Sequence, residues 1–217
     1  MSPRRTRPKP LPAPAPGRRE RKRTETRERI FRAALRLFAE RGFTATTIED
    51  ITQAADVGKG TFFNYFPSKE HVFGAFGELQ VSKVAAAVAD PRALAQPVHQ
   101  VLREMVHALA EEPGRSPALV RALMVANLTS APVRELMLRN LGRARRTLAG
   151  YFAGAQKRGT LRRGLEPEEV AGGMQRMFFG TMFMWAIDPS EKLRERFEKS
   201  LELFWSGIRA ADARGKE

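Results

Sequence analysis

Apolar side chains begin to recur at helical spacing soon after the N-terminus. They fall on one helical face, at Ile30, Ala34, Leu37 and Phe38, and Gly42 follows as a break. This spacing predicts an amphipathic helix that starts near residue 24 and ends before the glycine.

A second, shorter pattern follows the glycine. Thr46 with Glu49 three residues later is typical of a capping box, in which the side chain of each residue bonds the backbone of the other. Ile48, Ile51 and Ala55 would then form the buried side. We expect a helix of at most three turns here.

The next break, residues 56–58, leads into a compact third helix over residues 59–65. Phe62 is the residue expected to turn inward, which leaves the polar neighbours available on the surface. Phe66 and Pro67 end the segment, and Ser68 is a good N-cap for a longer fourth helix that continues to Asp90.

Beyond Pro91 the breakers divide the chain into further segments with helical apolar spacing, and none of them has the alternation of a strand. The last two segments, 167–187 and 190–210, are rich in Met, Phe and Trp. We therefore predict an all-α fold of about nine helices, with an N-terminal three-helix helix-turn-helix head and a C-terminal helical bundle body.

Charge changes this picture mainly at the N-terminus. The formal net charge is +14, and residues 1–23 hold nine Lys or Arg against the single Glu20, whereas residues 24–70 are neutral. Such a balance favours a polyanionic partner, either nucleic acid or an anionic membrane surface. We predict a disordered, basic, Pro-rich arm over residues 1–23. A first helical domain over 24–70 and a larger helical domain over 71–217 are expected to follow it.

Composition also excludes several chemistries. The chain has no cysteine, which rules out disulfides, thiolate metal sites and cysteine nucleophiles. No apolar stretch follows the basic N-terminus, so no signal peptide is expected, and we expect a cytoplasmic protein that does not act at a membrane.

Residues 47–65 fit the geometry that reading of the major groove requires. Two short helices joined by a turn of three to four residues, the second with small and polar exposed side chains, form a helix-turn-helix. Gly58 and Gly60 let the backbone approach DNA, and their N–H groups lie where a helix N-terminus binds phosphate. A purely structural helical hairpin is the alternative for this segment.

At this point the sequence resembles a known family. The stretches FTATTIEDI (43–51) and AADVGKGTFFNYFPSKE (54–70) are similar to the DNA-binding head of the TetR (TetR/AcrR-type) family of transcriptional regulators. The resemblance is close over residues 24–75. The rest of the chain resembles the variable, all-helical body of that family only in the number, length and order of its segments.

The resemblance implies a set of DNA contacts. Residues near phosphates would be Thr47, Gly58, Lys59, Tyr65 and Lys69. Residues near base edges would be Lys59, Gly60, Thr61 and Asn64. Phe63 departs from the tyrosine that is frequent at its position, so a contact to a thymine methyl or to sugar carbons is expected instead of a phosphate hydrogen bond. Asn64 is the residue favoured for reading adenine, although a position over the backbone or against water is the alternative.

The resemblance also implies a homodimer and a ligand. Residues 24–70 would be the DNA-binding domain, and residues 71–217 the effector-binding and dimerisation domain. Because one recognition helix reads few base pairs, two heads on a two-fold double-stranded operator are the usual solution. The candidates for the dimer interface are Met174, Phe178, Met182, Trp185, Phe197, Leu201, Phe204 and Ile208. The candidates for a pocket that holds a small hydrophobic effector are Met105, His107, Leu109, Leu123, Met124, Asn127, Phe152, Met177 and Phe178. Ordinary core packing is the alternative for the apolar members of both sets.

The functional prediction is therefore a sequence-specific, ligand-responsive transcriptional repressor with no cofactor and no metal. An enzyme is not expected, because the glycine that a phosphate-binding loop needs is replaced by Gln53 and no catalytic motif is present. The alternative is a sequence-indifferent nucleic-acid-binding protein driven by the basic arm.

Overall fold

The computed structural model describes residues 17–90 and 95–210. Within these residues the chain forms nine α-helices and one isolated β-bridge, between Leu161 and Arg209. The helices are α1 (Arg18–Arg41), α2 (Ile48–Ala54), α3 (Lys59–Phe63), α4 (Lys69–Ala89), α5 (Val98–Ala110), α6 (Pro117–Thr129), α7 (Ala131–Lys157), α8 (Pro167–Ile187) and α9 (Leu193–Ile208). The predicted all-α class is confirmed.

Helix α1 begins earlier than its apolar pattern does. Residues 18–23 are helical, so the predicted disordered arm is wrong for these residues, and the rest of that prediction, residues 1–16, lies outside the described part of the chain. Two threonine hydroxyls bond back along the helix, Thr24 to the Glu20 carbonyl at 3.1 Å and Thr26 to the Lys22 carbonyl at 2.9 Å. Glu20 in the first turn also complements the positive end of the helix dipole.

The N-cap of α2 lies one residue later than predicted. Thr47 accepts a hydrogen bond from the Asp50 backbone N–H, and the Asp50 carboxylate accepts one from the Thr47 N–H at 2.9 Å. Thr46 is instead fully buried, and its hydroxyl bonds the Gly42 carbonyl at 2.7 Å. The capping box is therefore Thr47 with Asp50, because Thr46 is held by the end of α1.

Two apolar cores run through the structure, and α4 contributes to both. The first surrounds α1, α2 and α3 and includes Phe38, Phe62 and Phe73, whereas Val84 at the other end of α4 belongs to the second, among α5, α7, α8 and α9. Helix α6 also enters the first core through Ala122 and packs on α1. The domain boundary predicted at residue 70 therefore falls at the start of a continuous helix, and the two parts share α4 and α6.

Close packing of α4 on α7 depends on glycine. A Cβ atom at Gly77 would overlap Asn140 Nδ2, and one at Gly74 would lie 3.1 Å from a methyl of Leu136. The long apolar helix α4 meets the length and composition of a membrane span, but Val72, among others, is buried against neighbouring helices. Here α4 is a core helix.

Candidate nucleic-acid interface and ligand cavity

The turn between α2 and α3 is closed by backbone bonds. The Val57 N–H donates to the Thr52 carbonyl at 3.0 Å, and the Asp56 N–H donates to the Gln53 carbonyl at 3.2 Å. Asp56 adopts a φ of +50°, a left-handed conformation that aspartate tolerates better than most side chains. Residues 55–58 thus reverse the chain in a short, fixed turn.

One residue anchors α3 to the head. The Phe62 ring is fully buried and packs against Phe66, with the ring centroids 5.9 Å apart. The opposite side of α3 faces solvent, where Phe63 is 50% exposed and Asn64 is exposed at the C-cap. A recognition helix requires one side that is anchored in the core and another that is open to DNA, and α3 has both.

An ion pair links the starts of α2 and α3. Lys59 pairs with Glu49, and this hydrogen bond is the main cause that lowers the pKa of the Glu49 carboxyl below its usual range. Hydrogen bonds from Thr47 similarly lower the pKa of Asp50. Since both members of the Lys59–Glu49 pair are exposed, solvent screens their attraction, and Lys59 is free to exchange its carboxylate partner for another anion.

Most of the predicted DNA contacts share one surface. Thr47, Gly58, Lys59, Gly60, Phe63 and Asn64 are exposed, and Thr61 and Tyr65 are half-buried. They all lie on α3, at its two ends or at the N-cap of α2. We call this surface the α3 face. Lys59 is its only charged residue, and the ion pair with Glu49 balances that charge.

Lys69 differs from the rest of the set. Its ammonium donates to the carbonyls of Phe43, Thr44 and Thr46 at 3.0, 3.4 and 2.9 Å, and it lies 4.6 Å from the centre of the Phe43 ring. All three of its donors are thereby used to tie α4 to the loop before α2. In this conformation Lys69 positions the head and has no donor left for phosphate.

The first turns of α1, which the sequence predicts to be disordered, form an exposed cluster of cationic side chains. Arg18, Arg19, Arg21, Lys22 and Arg23 are all exposed. Further along the same helix, the Arg27 guanidinium lies 5.3 Å above the Phe66 ring, so α1 passes close to the end of α3. Glu20 in a first-turn position is the signal that could have indicated a helical start.

An apolar cavity of about 130 Å³ opens among α4, α5, α6, α7 and α8. Helices α4, α7 and α8 supply most of its lining, and the wall consists mainly of Phe, Met, Leu and Val. Its amide side chains are Gln80, Asn127, Asn140 and Gln175, and none of the described residues that line it is charged.

The cavity agrees only in part with the predicted pocket. Met105, Leu109, Leu123, Asn127 and Phe178 line it, and His107, Met124, Phe152 and Met177 do not. Phe152 is fully buried in the second core, and His107 pairs through Nε2 with Glu198 at 2.9 Å. Sequence reasoning missed the contribution of α4, including Phe73, Phe76 and Gln80, because the sequence of that helix has no feature that marks a cavity wall.

The structure corrects most of the predicted dimer residues. Six of them are buried by the chain's own helices and belong to the core of a single subunit: Met174, Met182, Trp185, Phe197, Leu201 and Ile208. Phe178 and Phe204 are half-buried. The large apolar side chains that α8 and α9 turn to solvent are instead Met184 (59% exposed), Ile187 (67%) and Leu203 (76%).

Known proteins resemble this chain in sequence and in fold. Residues 30–76, which extend from the second half of α1 to the first half of α4, match the profile of bacterial regulatory proteins of the tetR family. The structure of Thermus thermophilus FadR, a TetR-family transcriptional repressor in complex with lauroyl-CoA, is 33% identical over 87% of this chain and 99% of its own, with a TM-score of 0.63.

The chain belongs to the TetR family.

Two further relatives are similar in sequence. The transcriptional repressor DhaR of Mycobacterium sp. (strain GP1) is 25% identical over 79% of this chain and 87% of its own length. The transcriptional repressor KstR of Rhodococcus jostii (strain RHA1) is 29% identical over 54% of this chain and 58% of its own length. The predicted function, a ligand-responsive DNA-binding repressor, is confirmed at the level of the TetR family, and the sequence-indifferent alternative is not favoured. These relatives are regulators and not enzymes.

Proposed function

We propose that the chain represses transcription as a homodimer that binds an inverted-repeat operator through the α3 face and is released by a hydrophobic ligand in the cavity. The observation that carries this proposal is the α3 face itself, where a buried Phe62 holds a short helix whose other side is open. A bacterial cytoplasm is the compartment in which such a regulator acts.

On the α3 face we assign base reading mainly to Asn64, with Lys59, Gly60 and Thr61 close to base edges. Asn64 is exposed, and an asparagine amide can both donate to and accept from adenine. Thr47, Gly58 and Tyr65 are assigned to the phosphate backbone, which sets orientation without reading sequence. The exposed Phe63 ring is assigned to a thymine methyl or to sugar carbons.

Charge for this contact comes from α1. The α3 face has no net charge, whereas five cations lie exposed in the first turns of α1, the helix that passes the end of α3. Cations that neutralise phosphates release counterions and so strengthen binding in a salt-dependent manner. We assign these residues to affinity for DNA of any sequence.

For the dimer we propose the solvent-facing side of α8 and α9. Met184, Ile187 and Leu203 are large, apolar and exposed, and a second copy of the chain would bury them. Gly180 and Gly207 lie on the same helices, and a Cβ atom added at either would meet nothing within 4 Å, so a partner helix can approach closely there.

For the ligand we propose a hydrophobic molecule bound in the cavity. Its apolar wall supports this, and so does the lauroyl-CoA bound by the related Thermus FadR. Release of DNA would follow because the head and the cavity share helix α4. Phe73 and Phe76 line the cavity and also belong to the core of the head, so a ligand that moves α4 also moves the head.

Selection of bound sequences from a random duplex library tests the DNA part of the proposal. The full chain at physiological salt is expected to recover an inverted repeat, and the Asn64→Ala variant is expected to lose preference at one base pair in each half. Gln53→Ala, an exposed change on α2, is the matched control and should recover the same motif. Binding without any recovered motif would contradict the proposal.

A further inference from the structure

We infer that the cavity recognises a neutral, largely apolar molecule that donates a hydrogen bond, from a hydroxyl or an N–H group, to the side-chain oxygen of Gln80 or Asn127, with one such donor for each oxygen that it satisfies. This inference rests on the proposed role of the cavity as the ligand site. It goes beyond that role because it specifies the polar group that the ligand must carry.

The orientation of the Asn127 amide is fixed by the protein. Its Nδ2 donates to the Leu123 carbonyl at 2.8 Å, so the other amide atom, Oδ1, must be the one that is left over. That oxygen is buried, and no hydrogen-bond donor among the described residues reaches it. Because Asn127 lines the cavity, a donor on a bound molecule can supply the missing bond.

Gln80 presents a second oxygen of the same kind from a different helix. Its Oε1 is buried without a partner among the described residues, and the side chain lines the same cavity from α4. An unpaired buried acceptor costs free energy, and two in one apolar cavity are unusual in a native protein. The pair therefore indicates a site built for a hydrogen-bond donor.

The other two amides of the cavity are already engaged. Gln175 donates from Nε2 to the Leu141 carbonyl at 2.9 Å and accepts from Arg145 Nε at 3.0 Å. Asn140 donates from Nδ2 to the Gly74 carbonyl at 3.4 Å. Gln80 and Asn127 thus differ from these two residues in having a buried side-chain oxygen with no hydrogen-bond partner among the described residues.

The wall of the cavity determines the charge and size of the ligand. No described lining residue carries a charge, so an anionic or cationic group inside the cavity would lose its hydration without gaining a counterion. The volume, about 130 Å³, is close to the roughly 150 Å³ of an engineered apolar cavity that takes benzene. A substituted single ring with one hydroxyl is therefore a suitable probe.

Isothermal titration calorimetry of the full chain, without DNA, tests the inference with two isomers. 4-Propylphenol and 4-ethylanisole have the same molecular formula, but only the phenol can donate a hydrogen bond from its oxygen. We expect the phenol to bind about tenfold more tightly than the ether. Gln80→Met combined with Asn127→Leu, which keeps the side-chain volumes similar, should reduce that ratio to about one.

Gln175→Met is the matched control, because it removes a lining amide whose polar atoms are already bonded within the protein. It should keep the tenfold preference. Equal binding of phenol and ether to the unmodified chain would overturn the inference, as would binding of neither. So would an undiminished preference in the double variant. The comparison of isomers on the unmodified chain stands even if that variant does not fold.

The calorimetric comparison of the two isomers does not depend on whether the ligand releases the operator. A preference for the phenol that has no effect on DNA binding would support the inference and contradict the proposed function. Release of DNA by some other ligand, together with equal binding of the two isomers, would do the reverse.

Discussion

The head and the body of this chain differ in where the residues proposed to act are found. In the head they lie on the outer surface, and in the body they line an internal cavity. In the head, Phe38 and Phe62 are fully buried in the core, and the residues proposed to act are outside it, on the α3 face. In the body, the core is open at a cavity, and the residues proposed to act line its inside. Well-packed support suits a surface that must hold a fixed shape, whereas incomplete packing leaves room for a ligand.

The two regions are nevertheless joined by helices that both use. Helix α4 runs from the head core to the body core, and α6 packs on α1 while it also lines the cavity. A change inside the body therefore has a direct physical route to the outside of the head.

Equivalent truncations in the two cores provide the sharpest contrast. Phe62→Ala should lower the free energy of unfolding by about 3–5 kcal/mol, because the ring is fully buried and its loss leaves a void. Phe178→Ala should cost less, by about 1–2 kcal/mol, because that ring is half-buried at the cavity wall. Urea denaturation measures both, and equal costs would mean that the two cores do not differ in closure.

Gly77→Ala tests the close approach of α4 to α7. The added Cβ would meet Asn140 Nδ2, so we expect a loss of about 1–3 kcal/mol and reduced ligand binding. Gly150→Ala on α7 is the control: its Cβ meets nothing within 4 Å, and alanine should stabilise the helix by up to about 1 kcal/mol. The melting temperature should therefore fall in Gly77→Ala and rise in Gly150→Ala. A shift of both variants in the same direction would contradict the proposed close packing of α4 on α7.

Thr47→Ala tests the cap that starts α2. Loss of the hydroxyl that bonds the Asp50 N–H should cost about 1 kcal/mol of stability, whereas Thr47→Ser keeps that bond and should remain close to the parent. Because thermal melting is measured without DNA, it separates the cap from any phosphate contact by Thr47. If serine and alanine were equally destabilising, the hydroxyl bond would not be the cause.

The smallest expected effect concerns His107. Burial is the main cause that lowers the pKa of His107, with Arg194 and Arg103 acting in the same direction and Glu198 opposing them. The unfolded chain then binds a proton more readily than the folded chain, so stability rises with pH through this range and falls on acidification below about pH 6.5. Between about pH 7.5 and about pH 5.5 the melting temperature of the parent should fall slightly more than that of His107→Gln. A parent less sensitive to acid than the variant would contradict the assignment.

The head was largely predictable because its signals are local. Ser68 as the N-cap position of α4 and Phe62 as the buried residue of α3 both follow from short patterns, and both positions are confirmed, although the Ser68 side chain makes no capping hydrogen bond. The cap of α2 was not decidable from sequence, since Thr46 and Thr47 each have an acidic residue three positions later. Only the reach of the Thr46 hydroxyl back to Gly42 separates the two.

The inside of the body was less predictable for a different reason. Helix α8 is apolar on most sides, so its periodicity does not tell which side faces the core. This is why buried residues such as Met182 and Trp185 were assigned to the dimer, and exposed ones such as Met184 were not. The cavity depends on how five helices fail to fill the space between them, which no single segment encodes.

Fluorescence anisotropy of a labelled operator duplex, chosen by the library selection, tests the link between the two regions most directly. The full chain would be titrated at physiological salt with and without lauroyl-CoA or 4-propylphenol, each at a concentration at which calorimetry finds the chain saturated. We expect at least one bound ligand to raise the Kd for the operator about tenfold or more. Unchanged operator affinity with every ligand bound would contradict the account.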